Sequence, residues 1–179
     1  ATPLREGKGT NFEGGLRVPC LMRWPGTIPA VKVCHEIAGT MDLLPTFARL
    51  AAAPLPKNTI DGKDITDLMF GKPNAKTTHK VFYHYDGGNR LMALRSGKWK
   101  LMMAQMYNSP TRGKRGFPGK VQRKSIELSL FDLESDVGET TNVADQHPQV
   151  VARLMRYAEE MRKDLGHGIN VGSGRRAIG

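Results

Sequence analysis

The second half of the chain alternates hydrophobic and polar residues in a pattern that predicts an antiparallel sheet followed by a helix. Two segments are strand candidates, VFYHY at residues 81–85 and IELSLFDL at residues 126–133. Between them, LMALRSGKWKLMM predicts a hairpin that turns at Ser96-Gly97. Apolar residues at helical spacing then predict a helix from Pro148 to Leu165, since a proline opens it and a glycine follows it.

The predicted hairpin has a register that follows from its two-residue turn. That turn places Arg95 opposite Lys98, so that Leu94 faces Trp99 and the next apolar pair follows on the same side. One face of the hairpin is therefore apolar, as a half-buried sheet requires. The pair of like charges is tolerable if both side chains point to solvent.

The first half of the chain predicts one buried strand and one amphipathic helix. LRVPCLMRW, residues 16–24, is an apolar segment that stops at a Pro-Gly pair and predicts the strand. MDLLPTFARLAAA, residues 41–53, predicts a helix with Asp42 as N-cap and Pro45 at the third helical position. Residues 57–80 are polar and rich in turn formers, which indicates a connection. The apolar stripe of the helix comprises Leu43, Leu44, Phe47, Leu50 and Ala51.

Composition indicates a globular protein of ordinary size, because 179 residues can bury a core and 39% of them are hydrophobic. No apolar run is long enough for a transmembrane helix, and the first residues lack the pattern of a secretory signal. The chain opens on Ala1, which suggests processing or truncation. With only Cys20 and Cys34, we expect two buried free thiols rather than a disulfide framework.

Positive charge is concentrated in one segment of the chain. The formal net charge is +10, and RGKRGFPGKVQRK, residues 112–124, holds basic residues without any acid. Its glycines and proline predict a loop rather than a basic helix face. A solvated surface loop is the favoured interpretation, and a loop that leans over a site for a polyanionic substrate is the alternative.

The segment LREGKGTNFEGGLRVP, residues 4–19, places Lys8 between two glycines. Its spacing fits neither a P-loop nor a dinucleotide-binding loop. Glycines allow a backbone with positive φ and the close approach of a ligand. Lys8 is therefore a candidate for binding a phosphate, sulfate or carboxylate, and the alternative is an ordinary solvated lysine.

Several motifs in fixed order resemble those of the sulfatases, within the alkaline-phosphatase-like superfamily. They are PLREGKGTNFEGGLRVPCLMRWPG, MDLLPTFARLA, IDGKDITDLMFG, GNRLMALRSGKWKL and LFDLESDVGETTNVA, and together they reach from about Pro3 to Leu165. Val137 departs from the pattern, because proline is usual there. The resemblance implies an α/β fold of which this chain holds a C-terminal part, made of the last strand and helix of the large domain and a small antiparallel sheet with a packing helix. The implied domains are 1–78, 79–165 and a tail at 166–179.

The resemblance also implies roles for individual residues. Lys8 aligns with the family lysine that binds the sulfate oxygens and supports catalysis. Glu13 either orients Lys8 or, as we favour, satisfies nearby amides. His84 and Asn89 are candidates for binding the organic part of the substrate, although a strand histidine satisfied by its neighbours is the commoner case. Asp136 and Glu139 belong to a surface turn in the family and are expected to be turn and cap residues.

The chemistry that the family uses is expected to lie upstream of this chain. The nucleophile is a formylglycine made from a C-x-P-S-R type motif, and neither Cys20 nor Cys34 stands in such a motif. The calcium ligands also precede the lysine loop, so no metal ligand is assigned here and this chain alone is expected to be inactive. The implied substrate is a sulfated small molecule or saccharide, with neither nucleic acid nor membrane as a partner. The family is often periplasmic, secreted or lysosomal, and the sequence assigns no compartment.

Two other classes of function stay open at this point. One is a phosphoryl-transfer hydrolase of the same superfamily, which would differ in its upstream nucleophile. The other is a non-enzymatic module that binds polyanions through residues 112–124, whose affinity would fall steeply with salt.

Overall fold

The computed structural model describes residues 3–111 and 119–176, and contacts divide the chain into two units. The sheet unit consists of residues 1–18 and 81–175, and the loop-rich unit consists of residues 19–80 with the last residues from Arg176 onward. The first eighteen residues thus group with the sheet, although they precede the loop-rich unit in the chain. The predicted division into domains at 1–78, 79–165 and 166–179 stays a prediction.

Helices occur in both units, and the strands lie in the sheet unit. The helices are α1 (Glu13–Leu16), α2 (Leu43–Leu50), α3 (Thr66–Met69) and α4 (Pro148–Leu165), with 3₁₀ turns at Thr40–Asp42 and Ala144–Gln146. The strands are β1 (Phe82–Tyr85), β2 (Leu91–Ser96), β3 (Trp99–Met102), β4 (Gln105–Pro110), β5 (Val121–Ile126), β6 (Ser129–Asp132), β7 (Gly166–His167) and β8 (Asn170–Val171). The predicted final helix is confirmed with its bounds, and Gly166 follows it with a φ of +96°.

The central sheet has four antiparallel strands in the order β1-β2-β3-β6, and each of its faces carries a separate core. Successive side chains of a strand point to opposite faces, which is why one sheet can serve two cores. One face packs against α4 through Leu91, Leu94, Leu101, Met103, Leu130, Val150, Leu154 and Ala158. The opposite face packs Phe12, Ala93, Met102, Phe131 and Leu133 together.

The predicted hairpin is confirmed, but its predicted register is wrong. Arg95 lies opposite Lys100 rather than Lys98, and Ser96 pairs with Trp99. The turn residues are therefore Gly97 and Lys98. Gly97 has a φ of +58°, which suits the first central position of a type II′ turn, where glycine is preferred. The turn moves by one residue because the glycine takes that position, and the apolar face is kept.

Residues 121–124 form part of a strand instead of the predicted loop. They belong to β5, which pairs with β4 in a separate two-stranded ladder, and β4 was not predicted. Residues 112–118 of the basic segment lie outside the described residues. The strand predicted at residues 126–133 is shorter than expected, because Ile126 ends β5 and only Ser129–Asp132 joins the central sheet.

The strand predicted at residues 16–24 is not formed. Leu16 ends α1, and the following residues to Trp24 form no regular secondary structure and pair with no strand. A buried strand requires hydrogen-bonded neighbours, and the described residues supply none to this segment. Its side chains are consequently exposed, Val18 to 72% and Leu21 to 98%.

The helix predicted in the loop-rich unit is confirmed as α2, with Pro45 at its third position, but its predicted apolar face is not buried. Leu44 and Phe47 are exposed, whereas Pro45 and Thr46 are buried. Asp42 precedes the helix as predicted, yet its carboxylate accepts hydrogen bonds from the N–H groups of Gly39 and Lys63 rather than from the helix.

Two further properties of the chain concern its cysteines and its helices. Cys20 and Cys34 are free as predicted, but both are exposed rather than buried, because they lie in segments that pack against little. Across residues 3–111 and 119–176, no helix combines the length and the hydrophobicity that crossing a bilayer requires.

Candidate anion-binding loop

The lysine loop, residues 5–17, closes on itself through its own backbone. The N–H of Gly14 donates to the carbonyl of Arg5 at 2.9 Å, which brings the two ends of the loop together. Near the tip, the N–H and hydroxyl of Thr10 both donate to the carbonyl of Gly7, at 3.2 and 2.9 Å. Lys8 lies at this tip and is exposed.

Three glycines are required by this backbone geometry. A Cβ atom on Gly14 would overlap the carbonyl oxygens of Arg5 and Glu6, and one on Gly15 would stand 2.6 Å from the carbonyl oxygen of Gly7. Gly9 has a φ of +95°, which side-chain-bearing residues avoid. The glycines therefore allow a tightly folded loop around the single lysine.

Lys8 has no ion-pair partner within the part of the chain that the structure describes. The acidic residues of its loop are occupied elsewhere. Glu6 accepts hydrogen bonds from the hydroxyl of Ser109 at 2.8 and 2.9 Å and lies 3.8 Å from the ammonium of Lys124. An exposed ammonium without a carboxylate partner remains available to an external anion.

Three charged side chains, Glu13, Lys100 and Glu139, form a buried ion cluster beneath the loop. The Lys100 ammonium donates to Glu13 Oε1 at 2.9 Å and lies 2.8 Å from Glu139 Oε1. The N–H of Glu13 donates to Glu139 Oε2 at 2.6 Å. All three residues are at most 2% exposed, so their charges are balanced by neighbouring protein charges rather than by water.

Two arginines at the edge of the buried ion cluster add positive charge around Glu13. Arg17 donates to its carboxylate from one turn along the chain, and Arg95 donates to it at 3.3 Å. Burial alone would raise the pKa of Glu13, but Lys100 and Arg17 outweigh it and hold that pKa below its ordinary value. Burial raises the pKa of Glu139, because Lys100 compensates it only in part. Of the two carboxyl groups, that of Glu13 is therefore the more readily ionised.

His84 stands on the same face of the sheet as Lys100. It pairs with Ala93 across the ladder, and its ring centroid lies 5.4 Å from that of Phe82. Burial, followed by the charge of Lys100, lowers the pKa of His84 to about 4. The imidazole is therefore neutral at neutral pH, and its predicted contact with substrate stays a prediction.

Asn89 lies in the turn between β1 and β2, where its contacts are structural. Its φ is +56°, and its carbonyl accepts from the N–H of Gly168 at 2.7 Å. In the same turn, the carboxylate of Asp86 pairs with Arg90 at 2.6 Å. The hydrogen bond to Gly168 ties the turn to the β7–β8 hairpin, and the predicted substrate contact of Asn89 stays a prediction.

The expectation that Glu139 is a surface turn residue is wrong, whereas Asp136 behaves as expected. Asp136 accepts hydrogen bonds from the N–H groups of Thr140 and Thr141. Glu139 is fully buried and has a φ of +51°, which turns its carboxylate towards Lys100. The interpretation that the Glu13 carboxylate satisfies nearby amides is wrong. That carboxylate pairs with Lys100, Arg17 and Arg95, and the backbone N–H of Glu13 itself donates to Glu139.

Sequence reasoning missed Lys100, although a signal for it was present. In β3 the alternation places Trp99 and Leu101 on one face, so Lys100 must share the other face with Met102. A lysine at such an inward position requires an acidic partner. The partners, Glu13 and Glu139, are 87 and 39 residues away in the sequence, which hides the pairing from any local pattern.

The described residues do not offer a set of ligands for calcium. Among residues 3–111 and 119–176, no group of three histidine, cysteine, aspartate or glutamate side chains could hold a metal ion. The carboxylates of Glu13 and Glu139 are occupied by Lys100, and that of Asp136 by backbone amides. These residues therefore do not fit a calcium centre.

Comparisons with known proteins agree on one family. Residues 77–174 match the family described as the C-terminal region of aryl-sulfatase, and residues 7–111 match N-sulphoglucosamine sulphohydrolase, C-terminal. Arylsulfatase A of Homo sapiens is 35% identical over 98% of this chain and 36% of its own length. Steryl-sulfatase of Mus musculus is 36% identical over 90% of this chain and 28% of its own length.

Solved structures give the same result. The PsFucS1 sulfatase from Pseudoalteromonas sp. superposes with a TM-score of 0.67 at 26% identity, over 95% of this chain and 34% of that one. The chain thus spans about a third of the length of the relatives that it matches. The predicted α/β fold, with its small antiparallel sheet and packing helix, is confirmed as that of a sulfatase C-terminal portion. The chain belongs to the sulfatase family.

Proposed function

We propose that this chain is the C-terminal part of an enzyme that hydrolyses sulfate esters, and that Lys8 binds the sulfate group. The proposal is supported by the names of the relatives, which are sulfatases, and by the match of the lysine loop to the family pattern. Its substrate is a sulfated small molecule or a sulfated saccharide.

The single observation that carries the role of Lys8 is the contrast between it and the other charges of its loop. Glu6, Glu13 and Arg17 are engaged with side chains of the sheet unit or of the loop, whereas Lys8 is exposed and has no partner among the described residues. A fixed loop that presents one free cation suits the recognition of a small oxyanion.

The contribution of Lys8 to the reaction is electrostatic. As the S–O bond of the ester breaks, its electron pair passes to the leaving oxygen, so negative charge grows there, next to the sulfuryl oxygens. An ammonium held near them stabilises that charge more in the transition state than in the ground state, which raises kcat. The formylglycine and calcium implied by the family would supply the nucleophile and further positive charge. Neither has suitable residues in the described chain, so no step is assigned to them.

Substitution of Lys8 in the complete enzyme tests this proposal. Lys8→Ala is expected to lower kcat for an aryl sulfate by about 10²–10³-fold, as the loss of one electrostatic contact in an active site does. The melting temperature should stay unchanged because the side chain is exposed. Lys57→Ala removes another exposed lysine and serves as the control. Unaltered turnover in Lys8→Ala would overturn the proposal.

The expectation that this chain alone is inactive has its own test. Residues 1–179, purified separately, should show no sulfate release from an aryl sulfate, since we place the nucleophile outside the chain. Measurable turnover that disappears on Lys8→Ala would mean that the chain carries a complete site, and it would contradict this expectation.

The two alternative functions predict different results in the same assays. A phosphoryl-transfer relative would hydrolyse a phosphate ester faster than the matching sulfate ester. A polyanion-binding module would retain a sulfated glycan through residues 112–124, with affinity falling steeply with salt and independent of Lys8. Arg123 and Lys124 of that segment are exposed on β5.

A further inference from the structure

The lysine loop and the central sheet meet at the buried ion cluster. We propose that Lys100 is a positioning residue for Lys8, because by joining Glu13 to Glu139 it fixes the loop on which Lys8 is presented. This inference rests on the proposed role of Lys8 in sulfate binding, and it adds a residue that never contacts the substrate.

Glu139 is the point at which both ends of the lysine loop are held. Its carboxylate accepts the N–H of Glu13 at 2.6 Å, and its carbonyl accepts a hydrogen bond from the Arg5 guanidinium at 2.6 Å. The backbone carbonyl of Arg5 in turn accepts a hydrogen bond from the N–H of Gly14. The beginning and the end of the loop are therefore attached to one residue of the segment between β6 and α4.

A cation is required for this attachment to persist. The carboxylates of Glu13 and Glu139 both lie within 3 Å of the same ammonium, and they would repel each other in its absence. The side chain of Lys100 is 0% exposed, so water cannot replace it. Lys100 supplies positive charge and three N–H donors at the one position between the two carboxylates.

Apolar packing next to Glu13 stiffens the same end of the loop. Phe12 is 1% exposed and packs in the core with Met102 and Phe131. Its ring meets that of Tyr107 edge to face at 5.1 Å, and the Arg5 guanidinium lies 4.1 Å above it. The base of the loop is thus buried and held, whereas its tip at Lys8 is exposed.

If the buried base of the lysine loop shifted, Lys8 at its tip would move as well. Displacements of about 1 Å in an active site can cost about 10²-fold in rate. Lys100 can therefore affect turnover through Lys8 alone. This dependence separates a positioning role from a general contribution to stability, because a stability effect would slow the enzyme whether or not Lys8 is present.

A double-mutant cycle in the complete enzyme tests this dependence. Lys100→Met should lower kcat/KM for an aryl sulfate by about 10–100-fold when Lys8 is present, mainly through kcat, and by less than about threefold in a Lys8→Ala background. Equal losses in the two backgrounds would overturn the proposal. Leu154→Ala is the control for stability, since Leu154 lies in the core on the opposite face of the sheet.

A second variant covers the case in which Lys100→Met does not fold. Glu13→Gln keeps the shape of the side chain and leaves Lys100 paired with Glu139. It should show the same dependence on Lys8 with a smaller loss, about 3–10-fold. Equal losses with and without Lys8 would again overturn the proposal.

Amide hydrogen exchange distinguishes this inference from the proposed function. In Lys100→Met or Glu13→Gln, the amides of Glu13 and Gly14 should exchange at least about tenfold faster relative to the Leu94 amide in β2. If Lys8→Ala leaves turnover unchanged but exchange responds in this way, the function proposed for Lys8 fails and the attachment stands. If Lys8→Ala lowers turnover but amide exchange is unchanged in Lys100→Met and Glu13→Gln, the positioning role fails and the proposed function stands.

Discussion

Two helices of this chain carry similar apolar stripes and have opposite surroundings. In the sheet unit, α4 buries Leu154 and Ala158 completely against the central sheet. In the loop-rich unit, α2 leaves Leu44 52% and Phe47 54% exposed. Hydrophobic periodicity therefore predicts that a helix forms and which face is apolar. It does not predict whether residues of the same chain bury that apolar face.

Exposed apolar side chains extend well beyond α2 in the first half of the chain. Large hydrophobic residues exposed between residues 18 and 55 include Val18, Leu21, Met22, Trp24, Val31, Val33, Met41 and Leu55. Apolar surface in such amounts is typical of an interaction surface. The sheet unit also leaves Met106, Val121, Leu128, Ile169 and Val171 exposed. Its own residues, including those of the lysine loop, nevertheless cover both faces of its central sheet.

Substitutions of apolar residues in the two helices should give the largest difference in the free energy of unfolding. In residues 1–179, Leu154→Ala is expected to lower the free energy of unfolding by about 2–5 kcal/mol, because it opens a cavity in a closed core. Phe47→Ala should change it by less than about 1 kcal/mol, because the ring is already half exposed. Denaturant unfolding of both variants measures the difference. Equal losses would mean that α2 is covered in solution, and the contrast between the helices would fail.

The pH dependence of the sheet unit should reveal the neutral state of His84. Its pKa is about 4 in the folded chain and about 6.5 when unfolded, so only the unfolded state takes up a proton between these values. Stability is therefore lost as the pH falls from 6.5 to 4, by at most about 3 kcal/mol. Lys100, Arg95 and Glu13 are the charged groups that act on it.

A His84→Phe variant isolates this contribution from that of the carboxylates. Its loss of stability between pH 6.5 and pH 4 should be smaller than that of the unchanged chain, measured by denaturant unfolding at each pH. Parallel curves for the two proteins would show that His84 titrates normally and that its imidazole is in contact with water.

The sequence predicted much of the sheet unit because local rules decide its elements. The proline and glycine at the two ends of α4 set its bounds, and alternation identified β1 and the β2–β3 hairpin. The turn was misplaced by one residue because Gly97 has a positive φ, which the apolar pattern alone does not reveal. The preference for glycine at one turn position therefore determined the hairpin register more strongly than the apolar alternation did.

Contacts between distant segments explain what the sequence did not predict about the site. The glycines around Lys8 pointed to a loop, and family motifs assigned it a role. The buried ion cluster joins residues from α1, β3 and the segment after β6, so no local sequence pattern predicts it. Residues 16–24 failed as a strand for the related reason that strands need partners from elsewhere.

Glycine substitutions in the lysine loop should give moderate effects that differ by position. Gly14→Ala is expected to destabilise the sheet unit by about 1–3 kcal/mol, because a Cβ there would overlap two carbonyl oxygens. Gly7→Ala should be tolerated within about 0.5 kcal/mol, since nothing lies within 4 Å of its added Cβ. Denaturant midpoints of the two variants measure this contrast. Equal tolerance would mean that the loop is looser than its hydrogen bonds indicate.

Thiol labelling should give the smallest effect on stability and a direct test of the exposed state of the loop-rich unit. Cys20 and Cys34 are both exposed, so both should react with a thiol reagent in the native chain as fast as they do in denaturant. Replacing both with serine should change the free energy of unfolding by less than about 0.5 kcal/mol, because neither side chain is packed. In the complete enzyme the same reaction becomes diagnostic. Slower labelling there would mean that another part of the enzyme covers this segment. Equal labelling would mean that the segment, with its apolar side chains, stays exposed in the complete enzyme.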